Sequence, residues 1–227
     1  MSSESAARSV AVSRGDPRVF ERAFADAPDL GELSYAARRL LSASASLFFR
    51  NGAAATSIRD ITSACGLTPG AFYKHFDSKD ELLYVLVQHG HERLERRIGD
   101  AMDESADGPL PQTAAFVRAY VTGHLVNPEL AQVIRREYLH LSHRRYTEIV
   151  RRRRQLRQRL ADLLRRGSDA GVFDLIDGPD GATRVAVMML DMCSRTSEWY
   201  DPQRAEPPHR LAQRYVVAAL RLAGASG

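Results

Sequence analysis

Apolar residues along this chain recur at intervals of three and four, the spacing that gives a helix one buried stripe. Over residues 34–50 the stripe is Ala37, Leu40, Leu41, Ala45 and Phe48. Ile58, Ile61 and either Ala64 or Cys65 continue it in a short second helix. A long helix is predicted over residues 78–102. Residues 112–126 carry Phe116, Val117, Tyr120 and Val121 in phase, and Pro128 opens another helix over residues 129–142. An arginine-rich helix over residues 144–170 stops at Gly171, and two more span residues 181–200 and 208–223. No stretch of useful length alternates with period two, so the pattern predicts an all-α protein without a sheet. Residues 1–33, broken by Gly15, Pro17, Pro28 and Gly31, read as a flexible tail with one helical turn around residues 19–24. Gly108, Pro109 and Pro111 mark residues 103–111 as a loop.

The densest boundary chemistry lies in residues 56–83. Thr56 stands where an N-cap oxygen is needed, and Gly66 follows Cys65 where a left-handed C-cap is needed. Thr68 caps the next helix, with Pro69 in its first turn, where a missing N–H costs nothing. Ser78 and Glu81 have capping-box spacing for the long helix. Two short helices joined by a Gly-containing turn form a helix-turn-helix, whose second helix reads the DNA major groove.

These residues carry a resemblance. From about residue 35 to residue 94 the chain resembles the DNA-binding domain of the tetracycline-repressor (TetR) family. The likeness runs through Phe48, Asn51-Gly52, Thr56, Ile61, Gly66, Gly70-Ala71-Phe72-Tyr73-Lys74-His75-Phe76 and Ser78-Lys79-Asp80-Glu81-Leu82-Leu83. More loosely, Arg135 to Leu141, Gly171-Val172-Phe173 and Trp199-Tyr200-Asp201-Pro202 resemble a TetR branch that controls fatty-acid and sterol catabolism and responds to acyl-CoA thioesters. The implied organisation is a tail (residues 1–33), a three-helix DNA-binding domain (34–94) and an all-helical ligand-binding and dimerisation domain (95–227). The last two helices are expected to build a four-helix bundle with a second copy. The implied function is a homodimeric repressor on a palindromic double-stranded operator, released by a small-molecule effector such as an acyl-CoA thioester. A multidrug-type sensor and an architectural DNA-binding protein without an effector are the alternatives.

Phosphate contacts position such a module and base contacts specify its site. Thr56 and Ser57, at the start of the first motif helix, and Lys79, at the start of the long helix, are expected to hold phosphates. The reading helix is expected over residues 68–75. Pro69 opens it, and the small Gly70 and Ala71 let the backbone approach the groove. Tyr73 and Lys74 are assigned to phosphates, as the resemblance implies. Thr68 and His75 are candidates for polar contacts, and Phe72 and Phe76 are assigned to the core. Arg8, Arg14, Arg18 and Arg22 would let the tail reach a minor groove.

For the sensing pocket the candidates are Phe116, Tyr120, His124, Tyr138, Met188, Met192 and Trp199. Arg151 and Arg154, from the densest arginine run, are candidates for CoA phosphates. Composition adds little against this reading. The net charge of +4 and pI of about 9.3 suit a nucleic-acid partner. No apolar run approaches the roughly 18 residues that span a membrane. The N-terminus has no secretory core, so a cytoplasmic protein is expected. Cys65 and Cys193 lack metal spacing and read as reduced packing residues. No nucleophile elbow, HExxH or phosphate-binding glycine loop appears, so neither enzyme chemistry, a cofactor nor a metal is expected.

Overall fold

The computed structural model describes residues 16–25, 33–202 and 206–225. These form helices and connecting turns with no strand: α1 (Pro17–Ala25), α2 (Tyr35–Asn51), α3 (Ile58–Ala64), α4 (Pro69–Phe72), α5 (Lys79–Asp103), α6 (Pro109–Val126), α7 (Pro128–Glu137), α8 (His143–Asp169), α9 (Ala182–Ser194), α10 (Thr196–Trp199) and α11 (Pro208–Leu222). Two apolar cores organise them. The first joins Phe20, Leu40, Phe48, Ile61, Phe72 and Leu86. It also takes in Leu130 and Val133 of α7 and Ile149 of α8. The second packs α6, α8, α9 and α11 around Phe116, Leu160, Met189 and Val216. Helix α5 enters both, with Leu82 and Leu86 in the first and Ile98 in the second.

Several element boundaries differ from the sequence expectation, each for a local reason. The expected tail contains a nine-residue helix, α1. Its Phe20 and Phe24 are buried against the body. Burying such a side chain contributes about 1.5–3 kcal/mol, so the pair offsets part of the cost of ordering the helix. Two long-range hydrogen bonds fix α1 further: Arg93 donates to the Ala23 carbonyl at 2.7 Å and Asn127 Nδ2 to the Val19 carbonyl at 3.2 Å. Arg18 is bonded to Asp16, while Arg8 and Arg14 lie outside the described residues. Pro109 and Pro111 belong to the first turn of α6 rather than to a loop, because that turn needs no backbone donors. The expected helix over residues 181–200 is two helices. Near their junction Thr196 Oγ1 donates to the Cys193 carbonyl at 2.7 Å and Ser197 Oγ to the Ser194 carbonyl at 3.0 Å. Such side-chain bonds compete with the helical ladder.

Candidate functional site

The helix-turn-helix is α3, a tight turn and α4. Gly66 closes α3 at φ 63°, and the Leu67 N–H reaches back to the Thr62 carbonyl at 2.8 Å. The N-cap of α3 is Ser57, not Thr56. Ser57 accepts from the Asp60 N–H, while the Asp60 carboxylate accepts from the Ser57 N–H, a reciprocal capping box. Thr56 is 1% exposed and its hydroxyl donates to the Gly52 carbonyl at 2.8 Å. That removes it from the surface on which phosphate contacts were expected.

Lys79 is likewise turned inward. Its Nζ donates to the carbonyls of Ala53 and Thr56, each at 2.7 Å, and so holds the start of α5 to the α2–α3 turn. Ser78 accepts from the Glu81 N–H at 3.1 Å, but the Glu81 carboxylate reaches the Asp77 N–H rather than that of Ser78. Only half of the expected capping box is therefore present.

The regular part of the reading helix is shorter than expected, with Tyr73, Lys74 and His75 in the turn that follows α4. Thr68 caps it by accepting from the Ala71 N–H at 3.3 Å. Phe72 and Phe76 are buried, and the Phe72 ring meets Tyr73 edge-on. That arrangement leaves Thr68, Pro69, Gly70, Tyr73 and Lys74 exposed together, with Ala71 and His75 partly covered. His75 Nδ1 lies 3.4 Å from the Ser34 hydroxyl.

Two polar junctions tie this head to the rest of the molecule. The buried Glu137 carboxylate, at the end of α7, accepts from the Ala53 N–H at 2.8 Å. Asp80, at the start of α5, accepts from the Ser142 N–H, the Ser142 hydroxyl and Arg145 at 2.6–2.8 Å.

A cavity of about 190 Å³ opens between α5, α6, α7, α8 and α9. Leu94, Leu130, Ile134, Leu156 and Leu190 give it an apolar wall, and Gly90 and Gly123 let the helices approach closely. Of the nine residues expected to line a pocket, Tyr120 and His124 do so. Phe116 is wholly buried in the second core, stacked on Tyr120 with ring centroids 6.4 Å apart. Met192 also packs against that core, outside the cavity. Met188 and Trp199 are about half exposed on the outer surface. Tyr138 stacks on Tyr146 and under the Arg153 guanidinium, 4.9 Å from its ring centre.

The arginine expectation fails by helical phase. Arg151 and Arg154 are exposed, whereas Arg153 and Arg157 line the cavity. Arg152 is taken up by Glu92 and Glu95 of α5. Ile149, Leu156 and Leu160 set the buried face of α8, and positions four from 149 and from 153 share that side. The apolar stripe of α8 was thus the signal that could have picked out Arg153 and Arg157. Arg93 and Arg97 of α5 and Arg135 of α7 complete the basic lining, which also includes Asp191 of α9. Arg135 pairs with Glu198.

Two histidines face the same space. Burial, with Arg153 and Arg152 nearby, pushes His91 down to about 3. Burial and Arg153 push His124 down to about 4, against a bond between its Nδ1 and the Tyr120 carbonyl at 2.8 Å. A carbonyl only accepts, so neutral His124 carries its proton on Nδ1 and a lone pair on Nε2. Both cysteines are free and buried, and burial pushes the Cys193 thiol up to about 12, so it does not form the reactive thiolate near neutral pH. Among the described residues no helix is long and apolar enough to cross a membrane. Nor do they hold a group of three or more His, Cys, Asp or Glu that could bind a metal.

Comparison with known proteins places these features. Residues 40–85 match the family described as bacterial regulatory proteins, tetR family. Residues 107–223 match the tetracyclin repressor-like C-terminal domain. The chain is 28% identical over 194 residues to the HTH-type transcriptional repressor KstR2 of Mycobacterium tuberculosis, covering 84% of this chain and 94% of that one. It superposes on a tetR-family regulatory protein from Rhodococcus RHA1 with a TM-score of 0.78 at 28% identity, covering 86% and 100% of the two chains. The structure of M. tuberculosis KstR2, described as a ketosteroid transcriptional regulator, gives 0.74 at 26%, covering 84% and 96%. The fold, at 20% identity, is also that of AibR, solved with isovaleryl coenzyme A and operator DNA, with a TM-score of 0.71 and coverage of 84% and 99%. With a helix-turn-helix head, a helical body and matches across both, the chain belongs to the TetR family of bacterial transcriptional regulators.

Proposed function

We propose that this regulator is a repressor that holds a palindromic operator as a homodimer and leaves it when an amphipathic anion, an acyl-CoA thioester from lipid or sterol catabolism, enters the cavity. One observation carries the reading: an apolar cavity with arginines in its wall lies along α5, the helix whose first turn is fastened to the reading head by Lys79 and to the body by Asp80. A ligand that moves α5 therefore acts on both fastenings. It shifts the population toward the released state only if it binds that state more tightly. The description of KstR2 as a repressor and ketosteroid regulator supports the lipid side of the reading.

On the operator, Thr68, Pro69, Gly70, Ala71, Tyr73, Lys74 and His75 form the reading surface, with Ser57 beside it. Lys74 meets phosphate, and the small Gly70 and Ala71 bring the backbone to the groove. Thr56 and Lys79 act from inside by fixing the head. The dimer uses α9 and α11, where Met188 and Val217 are exposed.

The test compares a thioester, its free acid, free CoA and a planar cationic drug for release of labelled operator. The thioester should act at the lowest concentration, because it alone combines a long apolar group with phosphates. Release by the cationic drug alone would replace this reading with a multidrug sensor.

A further inference from the structure

The deep wall of the cavity is unlike its mouth. At the mouth Arg97, Val126 and Asp191 are exposed; at the deep end His91, Tyr120, Leu130 and Leu156 are buried. His91 is 6% exposed, and its Nε2 is buried without a hydrogen-bond partner. His124 commits Nδ1 to the Tyr120 carbonyl, which leaves Nε2 for the cavity. Arg153 lines the same wall with its guanidinium over the Tyr138 ring. It has no carboxylate partner among the described residues, unlike Arg152 and Arg135. A buried polar atom without a partner costs free energy that a ligand atom recovers by bonding to it. A guanidinium without a carboxylate suits an oxyanion, for which its fork of donors is shaped.

We propose that His91, His124 and Arg153 form an oxyanion subsite, and that the anionic group of an effector enters it together with a proton taken from solvent onto one of the two imidazoles. The inference rests on the cavity being the effector site. In the empty cavity the charges near the histidines are mainly positive: Arg93 and Arg97 from α5, Arg135 from α7, and Arg153 and Arg157 from α8, with Arg152 of α8 also beside His91 but paired with Glu92 and Glu95. The titratable remainder is Tyr120 on α6 and the carboxylate of Asp191 on α9, with Glu198 of α10 occupied by Arg135. Burial above all, with Arg153 acting on both rings, Arg152 on His91 and Arg135 on His124, keeps the two rings neutral. An anion placed between them reverses the local sign, and an opposite charge within hydrogen-bonding range moves a neighbouring titration by about 1–3 pH units. That lifts His124 from about 4 into a range where binding near pH 6 consumes protons. The protonated ring then donates from both nitrogens, to the Tyr120 carbonyl and to the anion. Since the bound form holds more protons than the free form, affinity rises as pH falls through the bound-state value.

The oxyanion is either the carboxylate of a free fatty acid, which its thioester lacks, or a phosphate of the coenzyme part, and three probes separate them: octanoate, octanoyl-CoA and free CoA. Each is titrated calorimetrically into the full chain at about pH 6, in two buffers with different ionisation heats, which yields the proton count directly. The expected result is uptake on the order of 0.3–1 proton for at least one probe, lost in His124→Leu or His91→Leu, with affinity down on the order of tenfold. Uptake with octanoate alone assigns a carboxylate and removes the thioester reading while the subsite stands. Uptake with the CoA probes assigns phosphate. Equal heats in both buffers for every probe that binds, or uptake unchanged in both histidine variants, overturns the subsite and leaves the effector reading intact. No binding by any probe overturns both.

Discussion

Lys74 and Lys79 lie in one motif and look interchangeable in the sequence, but their surroundings give them different work. Lys74 is exposed beside the reading helix, whereas Lys79 bonds two backbone carbonyls. Lys74→Ala should leave the melting temperature unchanged and weaken binding to all DNA sequences about equally, as expected for a phosphate contact. Lys79→Met should cost about 1–3 kcal/mol of stability, because two carbonyls lose their donor. Thermal melts beside binding-site selection on both variants check the pair. A changed base preference in Lys74→Ala would mean that it reads bases. Asp80 makes a prediction in pH. Burial works to raise its carboxyl, but the bonds from Ser142 and Arg145 outweigh it and hold the group below its ordinary 3.8. The unfolded chain therefore takes up this proton first as pH falls. Asp80 contributes stability above 3.8 that is lost on acidification through the folded value. Asp80→Asn should be less stable at neutral pH, with a gap to the parent that narrows in melts carried below that value.

At the scale of elements, helical phase and close approach decide what a residue can do. The four consecutive arginines of α8 point in different directions: 151 and 154 to solvent, 152 to the glutamates of α5, 153 to the cavity. Gly90 of α5 sits where an added Cβ would lie 2.1 Å from Ile134 Cδ1 of α7. Gly90→Ala therefore has to displace the Ile134 side chain, which itself lines the cavity. Because the free end of Ile134 can turn into the cavity and alanine favours the helix over glycine, the variant should melt near the parent but need a higher effector concentration for release, while its unliganded operator affinity stays near the parent's. Operator titrations with and without octanoyl-CoA separate the two effects, and an unaltered effector response would show that this helix crossing does not bear on the ligand. Helix α1 belongs to the same scale. Arg93 and Asn127, which bond its backbone from the body, also line the cavity, so the segment expected as a tail is joined to the cavity wall.

For the whole molecule, the prediction concerns assembly and salt. A head this small holds few phosphates, so a two-fold dimer on a palindrome is expected to supply the affinity. If the pair neutralises about six phosphates, log K should fall with log salt at a slope near −5. Introducing charge with Met188→Asp and Val217→Asp should yield a monomer by sedimentation and remove tight operator binding. A monomer that still protects a palindrome at the parent's affinity would refute the α9–α11 interface.

Periodicity and capping chemistry determined much of this by themselves. The all-α class, the α3–Gly66–α4 motif and the buried Phe72 and Phe76 follow from spacing and turn residues, because helix formation and its stop signals act within a few residues. The likeness carried by residues 70–83 pointed to the TetR family for the same reason. Tertiary structure alone decided which polar groups remain available. Thr56 and Lys79 turned inward because neighbouring carbonyls needed donors. Tyr120 and His124 reached the cavity while Tyr138, Met188 and Trp199 did not. His91 came to hold a buried Nε2 without a partner only where five helices converge. Such outcomes depend on packing between segments tens of residues apart, and a local pattern carries no record of it.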